Sequence, residues 1–368
     1  MKYLISGGGT GGHIYPALAI ANEIKYRHGD AEILYVGTEN SLESELVPNE
    51  GFAFKTIRIS GIPRKISFET IKAVNKIFLG LRDAKHIIKE FKPDVVIGTG
   101  GYVCGPVVYT ASKMNIPTMI HEQNALPGIT NKILSRYVDV VAATFEESLK
   151  CFKYPDKVRI TGNPIRKDII RIDKSKAYSD LGINPKVPFI LSFGGSGGQK
   201  KLNEAMYHVI KENIDNLNIQ ILHVTGKRFF DDFMNRIKNE NIIIKNNISI
   251  LPYLFEMPKS LNISDLVITS AGAITLSEIS AVGVPSILIP KSYTAENHQI
   301  YNARSFEKKG ASVVILEEDL NGQLLNEKIN KLLGDSKKLM SMSTNTKRMS
   351  KPNVSEKIVD YIDELTKK

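Results

Sequence analysis

The chain has 368 residues, a formal net charge of +10, and 42% hydrophobic and 24% charged residues. That length admits two domains with cores of their own, and no apolar run approaches the roughly 20 residues needed to span a bilayer. Its two cysteines, Cys104 and Cys151, exclude a disulfide framework and a cysteine-rich zinc site. The basic balance admits nucleic acid, an anionic membrane surface or a phosphorylated substrate as partner. A lysine-rich proteome would account for it equally well, and no motif for reading RNA or DNA is present.

In chain order, residues 2–6 predict a strand that runs into GGGTGGH (Gly7 to His13), and a helix is expected over 15–28. The start is thus a strand entering a loop rather than a cleavable signal peptide, and the cytoplasm is the expected compartment. Glycines between a strand and a helix leave backbone N–H groups aimed at one spot, where the helix dipole adds positive potential, so the segment reads as an anion cradle. A strand follows at 32–36, a helix at about 69–90, a strand from Asp94 to Ile97, a helix from near Gly105, and strands at Thr118 to Ile120 and Val138 to Ala142. Short β-branched runs alternating with helices imply a parallel sheet covered on both faces. Gly162-Asn163-Pro164-Ile165-Arg166 reads as a linker.

The cradle then recurs. Phe189-Ile190-Leu191 leads into GGSGGQ (Gly194 to Gln199) and another helical pattern. Further strands are expected at Gln220 to Val224, Ile248 to Leu251, Leu266 to Thr269 and Ser286 to Ile289. Residues 335–352 are polar and poorly periodic, and a last helix carries Val354, Ile358, Ile362 and Leu365 at helical spacing. The expected architecture is α/β, with two Rossmann-like domains facing a cleft and parallel sheets covered by helices. The expected boundaries are 1–163 and 164–345, with the helix at 352–368 packing back on the first domain.

Gly7, Gly9 and Gly12 satisfy G-x-G-x-x-G, but a nicotinamide site also wants an acid at the end of the second strand. Only Glu39 stands near that place, which disfavours a dehydrogenase, and no P-loop motif is present. The segment SAGAITLSE (Ser270 to Glu278) is more specific. It follows a strand and opens a helix, so its small residues and hydroxyls can bind a diphosphate, and Glu278 can accept from both hydroxyls of a ribose. The bland reading makes Thr275 and Ser277 ordinary first-turn residues and Glu278 a dipole partner.

GGGTGGHIYPALA (Gly7 to Ala19), GTGGYVCGP (Gly98 to Pro106), HEQNALPG (His121 to Gly128), GNPIR (Gly162 to Arg166), GGS (Gly194 to Ser196), SAGAITLSE and HQIYNA (His298 to Ala303) occur in one order. Together they resemble the MurG family of undecaprenyldiphospho-muramoylpentapeptide β-N-acetylglucosaminyltransferases, which have the GT-B fold, from Met1 to about Gly310. One departure is that Gly197 and Gly198 intervene before Gln199, which puts a ligand role for Gln199 in doubt. The resemblance implies inverting transfer of N-acetylglucosamine from UDP-N-acetylglucosamine to the C4 hydroxyl of lipid-linked muramoyl pentapeptide (lipid I), giving lipid II for peptidoglycan synthesis. It implies that Ser196 and Ala273, Ile274, Thr275, Leu276 and Ser277 hold the donor diphosphate. Glu278 would take the ribose, Leu254 the uracil and Gln299 the sugar hydroxyls, while Arg166 would reach the donor from the linker. Thr10, Gly11, Gly12 and Asn124 would line the sugar. Gly8, Gly9, Gly100, Gly101, Tyr102 and His121 would receive the acceptor.

His13 can deprotonate the acceptor hydroxyl, or only position it; Glu122 is the second candidate base and His121 a weaker one, and His298 reads as a positioning residue. The chain contains no Asp-x-Asp, so helix dipoles and backbone N–H groups would carry the charge of the leaving UDP. No cofactor or tightly held metal is then required, and a loosely bound Mg²⁺ remains compatible. Ile71, Val74, Phe78 and Leu81 lie at helical spacing among Lys72, Lys76, Arg82 and Lys85. The stripe is either core or a patch for the anionic cytoplasmic membrane surface, the peripheral location a lipid-linked acceptor implies. Other expected partners are UDP-N-acetylglucosamine, lipid I and cell-wall synthesis proteins. A nucleotide-sugar-binding protein without chemistry is the competing function.

Overall fold

Short apolar strands separated by helices can bury both faces only as parallel sheets, and two such sheets form here. A computed structural model describes residues 1–61, 68–165, 167–195, 197–294 and 297–367, with backbone alone for 68–74 and 167–168. The chain divides into two compact units, Met1–Ile165 with Lys351–Lys368, and Arg166–Ser350. The first division thus falls two residues beyond the expected one, and the second unit runs on to Ser350 rather than 345.

The first unit contains β1 (Lys2–Ser6), α1 (Gly11–Arg27), β2 (Glu32–Gly37), α2 (Leu42–Asn49), β3 (Ala53–Thr56), α3 (Phe68–Phe91), β4 (Val95–Gly98), α4 (Cys104–Lys113), β5 (Thr118–Glu122), α5 (Ile129–Leu134), β6 (Val140–Ala143) and β7 (Val158–Ile160). Its strands are ordered β3-β2-β1-β4-β5-β6-β7, and the paired strands are parallel. Side chains alternate along β1: Tyr3 and Ile5 enter the core under α1, and Leu4 enters the opposite core with Ile88, Val107 and Val108. Both faces are therefore buried, which is why the strands read as continuous apolar runs.

The second unit contains α6 (Lys174–Leu181), β8 (Phe189–Phe193), α7 (Lys200–Asn213), β9 (Gln220–Val224), α8 (Lys227–Asn239), β10 (Ile248–Leu251), α9 (Met257–Ile263), β11 (Leu266–Thr269), α10 (Ala273–Val282), β12 (Ser286–Leu288), α11 (His298–Lys308), β13 (Ser312–Val314), α12 (Gly322–Leu333) and α13 (Ser336–Arg348). Its order is β10-β9-β8-β11-β12-β13, again in parallel pairs. The last helix, α14 (Val354–Thr366), belongs to the first unit. Ile358 and Ile362 are fully buried in the core shared with α1. Arg27 pairs with Asp360 at 2.6 Å, and His28 meets Asp363 at 3.0 Å.

Three expectations on elements are corrected. α1 begins at Gly11, not near Tyr15. Pro16 suits a first turn, and glycines disfavour helix by about 1 kcal/mol each, so the local signal falls one turn late. The Thr10 carbonyl accepts the N–H groups of His13 and Ile14, and Thr99 Oγ1 donates to the His13 carbonyl at 2.7 Å, which fixes the extra turn. Residues 335–352 are largely the helix α13, opened by Asp335 accepting from the Lys338 N–H. Its buried residues are only Met342 and Thr346, too few to register as a stripe. The short elements α2 and β3 also escaped notice, because α2 buries a single apolar side chain, Val47.

Candidate active site in two halves

In each sheet the strand order reverses at the first strand of the unit. Connections leave in opposite directions there and open a crevice at the carboxyl ends. In the first unit that point lies between β1 and β4, and the loops leaving them carry Gly7–Thr10 and Thr99–Tyr102. In the second it lies between β8 and β11, which lead into Gly194–Gln199 and Ser270–Gly272.

The two loops of the first unit are stitched together through backbone. Gly8 N–H donates to the Gly100 carbonyl at 3.3 Å. Gly100 and Gly101 have φ of +104° and +84°, and a Cβ on Gly101 would lie 2.3 Å from the Gly8 carbonyl oxygen. Only glycine allows that approach. Gly9 N–H donates to Glu43 Oε2 at 3.1 Å, and Glu43 Oε1 takes the Thr38 hydroxyl at 2.8 Å. The N–H groups of Gly8 and Gly9, expected to face the acceptor, are thus engaged inside the unit, beside the fully buried Glu43. Among the described residues, no acceptor takes the N–H groups of Gly11 and Gly12, in the first turn of α1.

His13 sits in that same turn. Its Nδ1 lies 3.0 Å from the Gly8 carbonyl and 3.3 Å from Thr10 Oγ1. A carbonyl can only accept, so it draws the proton to Nδ1 and places the basic lone pair on Nε2. Nε2 lies 3.1 Å from the position a Cβ on Gly100 would occupy, so the second glycine loop borders the imidazole. Tyr102 packs its ring against Gly9 and sets its hydroxyl 3.4 Å from Thr38 Oγ1.

Glu122, the second candidate base, and His121, expected on the acceptor side, end β5, and both are buried inside the unit. Glu122 is 1% exposed. Its Oε1 accepts from Asn124 N–H (2.9 Å) and Nδ2 (3.3 Å), and its Oε2 from Gly128 N–H (3.2 Å) and Asn131 Nδ2 (2.8 Å). Burial raises its pKa against the opposing pull of those donors. It ties down the loop that carries Asn124. His121 is fully buried: Gln123 Nε2 donates to its Nδ1 at 3.1 Å, and its Nε2–H donates to the Gly162 carbonyl at 3.0 Å. Both ring nitrogens are used inside the unit.

Burial lowers the His121 pKa from 6.5 to about 4. The unfolded chain therefore binds a proton below about pH 6.5 that the native chain refuses, and stability falls as the pH drops towards 4. The expected cost at pH 5 is ~2 kcal/mol, at 1.36 kcal/mol per pH unit. Buried His223, lowered to about 3, acts in the same direction in the second unit. Urea midpoints followed by circular dichroism should fall between pH 7 and pH 5, and fall less in His121→Gln. Equal drops in both proteins would place His121 outside this linkage.

In the second unit, α10 opens at Gly272, which has no side chain to cap the first-turn N–H groups of Ala273, Ile274 and Thr275. Leu276 is buried in the same helix, and Glu278 is 8% exposed one turn in. The Ser277 hydroxyl donates to the Ala273 carbonyl at 2.9 Å, so it turns onto its own helix rather than outwards. Leu254 is buried in the turn between β10 and α9. Gln299, at the start of α11, accepts from Lys291 N–H at 3.0 Å, so a sugar hydroxyl would meet its amino end. Gln199 is fully buried and donates to Glu317 at 2.7 Å and to the Ile289 carbonyl at 3.1 Å, a structural role. Arg166 and Ser196 lie outside the described residues, as do the side chains of Ile71 and Val74. Among the described residues, no cluster of three His, Cys, Asp or Glu could hold a metal ion.

Thr99 and Gln123 lie inside the quoted motifs but were given no role there, and Glu43, Asn131 and Lys291 lie outside them. These last three each reach a loop from another element, so no motif marks them.

Two parallel α/β units each open a glycine-lined crevice at the switch point, and the chain belongs to glycosyltransferase family 28. Residues 3–143 match the N-terminal domain of that family and residues 189–358 its C-terminal domain. The chain is 50% identical over 366 residues, covering 100% of both chains, to the UDP-N-acetylglucosamine–N-acetylmuramyl-(pentapeptide) pyrophosphoryl-undecaprenol N-acetylglucosamine transferase of Caldanaerobacter subterraneus. It is 51% identical to the protein of the same name in Clostridioides difficile, with 98% of this chain and 88% of that one covered. The crystal structure of MurG from Acinetobacter baumannii superposes with a TM-score of 0.78 at 28% identity, over 99% of this chain and 100% of that one.

Proposed function

We propose that the protein transfers N-acetylglucosamine from UDP-N-acetylglucosamine to the C4 hydroxyl of lipid I, forming lipid II. The observation that carries this is 50% identity, end to end, to transferases of that name. The first unit supplies the base and the acceptor loops; the second supplies the donor half. His13 Nε2 takes the proton as the acceptor oxygen attacks C1 of the sugar. The bond from C1 to the β-phosphate oxygen breaks, UDP leaves, and a single displacement inverts the anomeric centre. The N–H groups at the start of α10 meet the developing negative charge on UDP, and Glu278 holds the ribose. No metal is needed for this step. Incubation with UDP-N-acetylglucosamine and a short-chain lipid I analogue should release UDP, in chelator as well as in Mg²⁺. UDP-sugar binding without release would leave a binding protein, and release only with Mg²⁺ would overturn the metal-free reading.

We also place the enzyme peripherally on an anionic membrane face. No helix among the described residues is long and apolar enough to cross a membrane. In the first unit Phe78 of α3 is 67% exposed and Ile129 of α5 is 62% exposed. Gly80 of α3 and Thr130 of α5 both border the first turn of α4, at Pro106 and Gly105 respectively. Phe78 therefore lies outside the core, while Leu81 is half-buried. Apolar tips beside basic residues suit reversible interfacial binding. Anionic liposomes should retain the protein at low salt and release it at high salt. Phe78→Ser with Ile129→Ser should weaken retention with the melting temperature unchanged; undiminished retention would rule this face out.

A further inference from the structure

The second unit holds a cation at its glycine loop that no motif marks. Lys291 follows β12, and its backbone is fixed on both sides. Its N–H donates to Gln299 Oε1 at 3.0 Å, and the N–H and hydroxyl of Ser292 donate to Glu317 Oε2 at 2.8 and 2.5 Å. From this anchor the side chain runs back to the loop after β8, where Nζ donates to the Gly198 carbonyl at 2.9 Å. A Cβ on Gly195, whose φ is +75°, would lie 3.4 Å from Ser270 Oγ and 3.9 Å from Lys291 Nζ. Both groups therefore border the space that Gly195 leaves empty.

The charge is misplaced for stability alone. The loop leads into α7 and Ser270 leads towards α10, and the N-terminus of a helix disfavours a cation. Burial pushes the Lys291 ammonium below the ordinary lysine range, against the pull of Glu317. One of its three N–H donors goes to Gly198, which leaves it able to engage an incoming anion. We infer that Lys291 contacts the diphosphate of the nucleoside-diphosphate donor, exchanging the Gly198 carbonyl for phosphate oxygens and holding the charge that grows as UDP departs. No proton moves in this exchange. The inference rests on the donor-site reading above and adds to it the side chain that supplies positive charge where the sequence has no Asp-x-Asp to hold a metal.

The test is UDP titrated into the full-length wild type, Lys291→Met and Lys291→Arg, with uridine as a probe that lacks phosphate. Lys291→Met should weaken UDP by about 10- to 100-fold, the range for a lost charge-assisted hydrogen bond. Uridine affinity should be unchanged, and Lys291→Arg should recover much of the UDP affinity. Wild-type UDP affinity in Lys291→Met would overturn the assignment. Parallel loss of UDP and uridine would also overturn it, because Lys291 would then merely brace the loop. Failure of the wild type to bind UDP would instead remove the donor-site reading itself.

Discussion

His13→Ala should lower kcat by roughly 10²–10⁴-fold, the usual worth of a positioned general base, with donor affinity nearly unchanged. The Gly8 carbonyl holds Nδ1, so the imidazole presents Nε2 in a fixed orientation, and α1 carries the ring on its first turn. The donor residues Ala273 to Glu278 belong to the other unit and should not sense the change. The ring must be neutral to accept a proton, so the acidic limb of the pH–rate profile should flatten in the variant. A loss confined to the acceptor KM would make His13 a positioning residue. Glu122 would not then inherit the role of base, because four N–H donors already occupy its oxygens.

Gly101→Ala should cost about 10²-fold or more in kcat/KM, although residue 101 need not touch the reacting atoms. Its φ of +84° is strained for alanine, and the added Cβ would meet the Gly8 oxygen at 2.3 Å. The obstacle is backbone, so the loop itself must move. Gly8 is also the residue that orients His13, and a displacement near 1 Å at a catalytic group is worth about 100-fold. UDP affinity should stay at the wild-type value, since the donor half is untouched. Gly29→Ala is the control: nothing lies within 4 Å of its Cβ position, and it should behave as wild type. Equal activity of Gly101→Ala and wild type would show that the junction of the two loops does not set the imidazole.

Much was legible in the chain itself because the signals were local. Strands β1, β4, β8 and β11 are apolar runs ending in glycine or small residues, and a strand, a glycine loop and a helix in succession read as an anion cradle. The apolar spacing of Val354, Ile358, Ile362 and Leu365 announced α14, since helical periodicity needs only near neighbours. What the loops bind internally was not legible. The sequence offered the N–H groups of Gly8 and Gly9 to a phosphate, whereas tertiary structure assigns them to Gly100 and Glu43. It offered His121 and Glu122 to ligand or catalysis, whereas burial and the donors of Gln123, Asn124, Gly128 and Asn131 engage them inside the unit. Lys291 drew no attention at all until β12 set it across from Gly198. By itself, then, the sequence determined the two parallel α/β units and where each opens a glycine-lined crevice, because backbone periodicity and glycine's freedom at positive φ act over a few residues. Only the tertiary structure decided which groups at those crevices are engaged inside their unit, because a hydrogen bond between residues 34 or 93 positions apart exists only once the sheets have brought them together.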